Sequence, residues 1–242
     1  ILLVPLLIRE HPCERLLPWS TGVERPQGPR AGSKTWQAIV IGLFRAIVLP
    51  MSLLLILIEA CNRITSGILI GLAPMVTIQE LGWTQITYAN WIAITGVTAA
   101  VLGVLCSPWI DRVGALRILK WVVMFRIGLL GLTATLEPYW GIHQVFESFL
   151  MINAVATQLV TVTLIALFMR LCSPRVAASQ FAVYMALANM TYSLGSGLMV
   201  PLSHWTHQAG IMLVCAALIA LMWLLIHWVD FERHDQDLNK LS

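Results

Sequence analysis

Glu59, Asn62 and Arg63 stand within five residues of one another in an otherwise apolar run, LLILIEACNRITSGILIG. On a helix Glu59 and Arg63 are one turn apart on the same face, close enough to pair. Charges inside so apolar a stretch are costly and rarely idle. Two readings are open. The pair locks this helix against a neighbour, or it belongs to a polar face along a water-filled path, where a solute or a proton is handled. Arg126, in WVVMFRIGLL, also has two readings. Its guanidinium reaches back toward the basic end of its run, or it holds an anionic group. Glu147, in HQVFESFLMINAVATQ, suits a proton carrier or a solvated residue at a mouth.

A larger set is polar without charge. Asn153, Thr157 and Gln158 follow Glu147 along one run, and Gln180, Tyr184, Asn189 and Tyr192 occupy the next. Spacings of three to five residues put many of them on related helix faces. Amides, hydroxyls and aromatic rings around a cavity would suit a polar organic solute such as a sugar; interhelical hydrogen bonds are the plainer use. His204 and His207 flank Trp205 without a third ligand nearby, so no metal site is expected. No G-x-S-x-G, phosphate-binding loop or H-E-x-x-H occurs. Neither an enzyme nor a bound cofactor is expected.

These residues are carried by a chain of 242 residues that is 58% hydrophobic and only 11% charged, with mean hydropathy +0.80. A soluble domain devotes about a quarter of its residues to charge, so much of this surface faces something other than water. Lipid is the partner this composition implies. The net charge of +3 is spread along the chain without a basic stripe, which excludes a nucleic-acid binder. The five cysteines, Cys13, Cys61, Cys106, Cys172 and Cys215, are scattered and odd in number, which argues against a disulfide framework.

A bilayer core of about 30 Å needs roughly 20 largely apolar residues per helix. Six stretches qualify, near 47–74, 88–107, 118–136, 141–171, 176–203 and 208–229. The expected fold is an all-α integral membrane protein, with a six-helix bundle over 47–229. Residues 1–9 read as the end of a truncated transmembrane helix, 10–46 as a cytoplasmic linker rich in Pro, Gly, Arg and Ser, and 230–242 as a charged cytoplasmic tail. Of fifteen Lys and Arg residues, six precede the first span, three lie between the second and third, two between the fourth and fifth, and two follow the sixth. The alternate loops carry none, so both termini are expected on the cytoplasmic side. Gly67 and Gly71 in the first span, and Ala178, Ala182 and Ala186 in the fifth, have the spacing that lets helices approach closely in lipid.

After the second span the chain reads SPWIDRVGALRIL. It resembles the major-facilitator loop signature G-x-x-x-D-R-x-G-R-[RK], with Asp111, Arg112 and Gly114 matching and Arg117 supplying a basic residue slightly later. The resemblance implies a gating loop in which Asp111 meets a helix N-terminus and Arg112 a carboxylate, latching one access state. Across most of the chain, IREHPCERLLPW, FESF and ALFMRLCSPRVAASQFAVYMALANM resemble the AmpG-like (peptide–acetyl-CoA) transporter family. This implies the C-terminal half of a twelve-helix major-facilitator fold, partnered by an N-terminal six-helix half. It further implies a permease of the bacterial inner membrane that imports anhydro-muropeptides by proton symport; relatives carry acetyl-CoA or siderophores. The implied solute and proton path comprises Glu59, Asn62, Arg63, Arg126, Glu147, Asn153, Gln158, Gln180, Tyr184 and Asn189. The alternative is a six-helix membrane scaffold that transports nothing.

Overall fold

In hydrocarbon a spanning segment must satisfy its backbone within itself, and long apolar runs do so as helices. The computed structural model describes residues 44, 47–172 and 177–229, and there the regular elements are helical. The long helices are α1 (Pro50–Pro74), α2 (Gln85–Val113), α3 (Ala115–Thr135), α4 (His143–Leu171), α5 (Ala177–Trp205) and α6 (Gln208–Ile226). Four are long and apolar enough to cross a membrane: α1 with its extension to Glu80, α2, α4 and α6. The other two are more polar in sequence, α3 carrying Arg117, Lys120 and Arg126 and α5 carrying Gln180, Asn189 and several serines. The expected helix end at 1–9, nearly all of the linker at 10–46 and the tail at 230–242 lie outside the described residues.

Local chemistry sets the boundaries. Pro50 opens α1 where its missing N–H costs nothing. Pro74 closes α1, and the chain widens into a π-helical turn over Met75–Glu80. Thr84 caps α2 by accepting the Thr87 N–H at 3.1 Å. Buried threonines at positions 65, 77 and 133 turn their hydroxyls onto carbonyls of their own helices, so they ask nothing of a neighbour.

The segment expected as a gating loop is helical on both sides of one glycine, which corrects its conformation. Asp111 and Arg112 lie in the last turn of α2 and Arg117 in the first turn of α3; only Gly114, at φ +98°, is outside a helix. Nothing in SPWIDRV stops a helix, since Pro108 removes one hydrogen bond without ending the run, whereas glycine accepts the positive φ that turns the chain.

Each helix has a dominant neighbour. α1 packs on α5 and α6, α6 on α3, α3 on α4, and α4 on α2. The core runs through Leu55, Ile58 and Leu72 of α1, Val123 and Leu130 of α3, Phe146 and Phe168 of α4, and Ile211 and Ile219 of α6. Gly67 and Gly195 mark where α1 and α5 cross: a Cβ on Gly67 would overlap the Tyr192 carbonyl, and one on Gly195 the Ile64 carbonyl. Gly71 lies against Met199. Thr95, Ala99 and Gly103 form a buried small-residue stripe on α2, and a Cβ at Gly103 would lie 3.0 Å from Gln158 Cγ on α4. Ala178, Ala182 and Ala186 behave otherwise: they are exposed on α5 and touch no helix closely enough to be covered.

Candidate functional site

Once the threonines have bonded to their own helices, few buried polar side chains still need partners from elsewhere. Glu59, Asn62 and Arg126 are 3%, 1% and 0% exposed. Asn62 is the middle residue of the 25-residue α1, and Arg126 lies next to the middle of the 21-residue α3. They meet at the same depth. Arg63 Nε donates to Glu59 Oε1 at 2.6 Å. Asn62 Nδ2 donates to Glu59 Oε2 at 3.3 Å, and Arg126 Nη1 donates to Asn62 Oδ1 at 2.8 Å. The Asn62 amide thus faces a carboxylate with its nitrogen and a guanidinium with its oxygen.

Two features give this network chemical potential. It holds two guanidinium groups and one carboxylate, so its formal charge is one positive unit while Glu59 is ionised. Arg126 Nε and Nη2 have no hydrogen-bond partner among the described residues, although both are buried. The Cys215 thiol of α6 is close enough to interact electrostatically with that guanidinium. The expected reach of Arg126 toward the interface is therefore not what occurs: the side chain turns inward, because Asn62 offers it an acceptor that lipid does not. Arg63 remains partly exposed, its side chain at 23%.

A second network joins α1 to α5. Gln180 Nε2 donates to Tyr184 Oη at 2.6 Å, and the Tyr184 hydroxyl donates to Ser52 Oγ at 3.1 Å. The Phe168 ring of α4 lies against Tyr184, with centroids 4.8 Å apart. Gln180 and Tyr184 were legible as polar residues of the fifth span; Ser52 was not, since a serine near a helix start carries no particular signal.

The remaining expected residues are dispersed. Glu147 is partly exposed near the start of α4. Asn153 Oδ1 and Thr157 Oγ1, one turn apart on α4, are buried without partners among the described residues. Gln158 is packed into the α2–α4 contact through Gly103. Asn189 is exposed on α5, as are Asp111, Arg112, Gly114 and Arg117 at the α2–α3 junction. Neither Asp111 nor Arg112 makes an ion pair with another described residue. An aromatic group near Glu147 was not expected: Trp83 stacks on His143 at 6.3 Å and meets Trp91 edge-on at 6.5 Å, and both indole N–H groups are buried without acceptors.

A helical bundle with apolar membrane-crossing helices and a charged network halfway along two of them is the build of a multi-pass membrane transporter. The family profile of the Major Facilitator Superfamily matches residues 55–241, more than three quarters of the chain. The chain belongs to that superfamily, whose members are membrane transporters of small solutes rather than enzymes. No curated protein and no solved structure matches it.

Proposed function

We propose that the chain is a proton-coupled solute importer of the AmpG-like kind, and that Glu59 is the carboxylate through which the proton acts. The observation that carries this reading is a single carboxylate near the middle of α1, paired with the Arg63 guanidinium and joined through the Asn62 amide to the Arg126 guanidinium of α3. A proton added to Glu59 removes the only negative charge and raises the cluster from one positive unit to two. In a low-dielectric core like charges repel strongly, so the α1–α3 contact weakens with protonation. A contact whose strength depends on one proton is what couples a gradient to a change of access state. Glu147, partly exposed and without such partners, fits an entrance residue better than the coupling site.

The six helices act, in this reading, as the C-terminal half of a twelve-helix carrier in the bacterial inner membrane, with both termini cytoplasmic. Two exposed faces support a second bundle as partner. Ala89, Ala93, Gly96 and Ala100 share one face of α2, and Ala182, Ala186, Asn189 and Ser193 share one face of α5. Small residues let another helix approach closely, where lipid alone would be served by larger side chains. The solute path would run between the halves past Asn153, Gln158 and Asn189, with Asp111 and Arg112 latching the α2–α3 junction at Gly114. An anhydro-muropeptide, rich in hydroxyls and amides, suits that lining; siderophores and acyl-CoA compounds are the alternatives within the same family.

The test is uptake of a labelled anhydro-muropeptide into spheroplasts expressing the gene, with and without an uncoupler, for the native protein and Glu59→Gln. The expected result is uncoupler-sensitive accumulation that the variant loses, while solute exchange down its own gradient persists. Accumulation indifferent to both treatments would sink the coupling role.

A further inference from the structure

Outside the polar networks, a cleft of about 440 Å³ opens between α3 and α4. Trp121, Val122 and Phe125 form one wall, and Ile152, Val155 and Leu159 belong to the other. Its size falls in the range of small-molecule pockets, roughly 300–1,000 Å³, yet its lining is almost wholly apolar and it opens to the outside of the bundle. Trp121 and Phe125 are more than half exposed there. The polar network lies on a different side of α3, because Arg126 is turned to α1 and α6 while Trp121 and Phe125 are turned to α4 and the exterior.

The charge around the cleft is one-sided. Arg117, Trp121 and Phe125 follow one another at four-residue spacing on α3, so Arg117 stands one turn beyond the tryptophan on the same stripe. Arg117 is exposed, makes no ion pair with another described residue, and has Lys120 and Arg112 nearby in sequence with Asp111 as the only acid between 111 and 120. Trp121 stands one turn further along the helix than Arg117, so its ring lines the apolar cleft while Arg117 lies nearer the helix start.

We infer that this cleft is a binding site for an anionic glycerophospholipid of the bilayer, one acyl chain lying between α3 and α4 and the phosphate meeting Arg117. An apolar slot alone would take any lipid tail. The basic residue at its end makes the site selective, because a cation near the surface attracts anionic headgroups and ignores zwitterionic ones. A second copy of this chain would leave Arg117 facing an equivalent Arg117 or bare hydrocarbon, and neither offers it a countercharge.

The experiment reconstitutes the full chain into phosphatidylcholine vesicles containing tail-brominated phosphatidylglycerol or, at equal content, tail-brominated phosphatidylcholine. Quenching at Trp121 is read as the difference between the native protein and Trp121→Phe. The expected result is a preference of about fivefold for the anionic lipid. Arg117→Gln abolishes the preference, and Ala156→Phe, which fills the cleft, reduces quenching by both lipids. Equal quenching by the two lipids would mean ordinary surrounding lipid and overturn the proposal. Loss of quenching as protein content rises would instead place a second copy in the cleft, and overturn it equally.

Discussion

α1 meets two sets of neighbours by different means. Against α5 it presents Gly67 and Gly71, and backbone approaches backbone so closely that neither crossing glycine can accept a Cβ. Against α3 it presents Asn62, and the contact is a hydrogen bond between an amide and a guanidinium in a network that also contains an acid. The first contact is close packing joined by hydrogen bonds among the uncharged Ser52, Tyr184 and Gln180, and it holds no charge at the crossing for a proton or a voltage to act on. The second is electrostatic, and in the proposed mechanism it weakens when a single proton is added to Glu59. A carrier needs both: a hinge pair that stays together and a contact that yields.

The comparison is tested most severely at the glycines. Gly195→Val places a branched side chain against the Ile64 backbone, which has no rotamer with which to give way. Overpacking of this kind costs about 3 kcal/mol, so the membrane-inserted yield should collapse. Heating in detergent with a thiol-reactive dye, for which the buried Cys61 and Cys215 are the reporters, should show a markedly lower midpoint. A native-like midpoint would mean that α1 and α5 separate easily, and the contrast between the two contacts would fail.

A smaller loss is expected at the other contact. Asn62→Leu keeps the volume of the side chain but removes the acceptor for Arg126, whose Nε and Nη2 are already without partners. A buried group left unsatisfied costs about 2 kcal/mol. The same dye assay should place this variant between the native protein and Gly195→Val. Restoring an acceptor with Asn62→Asp should recover part of the midpoint, because a carboxylate meets the guanidinium directly.

The two contacts were unequally legible in the sequence. α1, α2, α4 and α6 follow from apolar run length, because a spanning segment must be about as long as the bilayer is thick; α3 and α5 are long helices whose polar residues keep them short of that criterion. The Glu59–Arg63 pair follows from i,i+4 spacing alone. Arg126 to Asn62 does not, since the partners are 64 residues apart and only the packing of α3 against its neighbours decides which way the guanidinium turns. The glycine signal was read correctly at Gly67, where a partner helix crosses. The alanines of α5 have the same spacing and are exposed, for small residues permit close approach without naming the neighbour. The α2–α3 junction was read as a loop because its sequence resembles a loop signature and the apolar run ends near 107, whereas the helix continues to Val113 and a single glycine supplies the whole turn.

The smallest change in stability is expected where the change in function is large. Arg126→Met removes the buried guanidinium and leaves Glu59 with Arg63 and the Asn62 amide, a neutral set that remains hydrogen-bonded. Removing a buried charge that lacks a direct ion-pair partner among the described residues offsets the donor lost to Asn62 Oδ1, so the dye midpoint should stay within about 1 kcal/mol of native. Protonation of Glu59 would then bring no second guanidinium into repulsion across the α1–α3 contact, and the proton would lose its hold on the access state. Uptake driven by the gradient should fall to the level of the uncoupled native protein. A stable variant that still accumulates solute would make Arg126 a structural residue and leave the coupling to Glu59 and Arg63 on α1 alone.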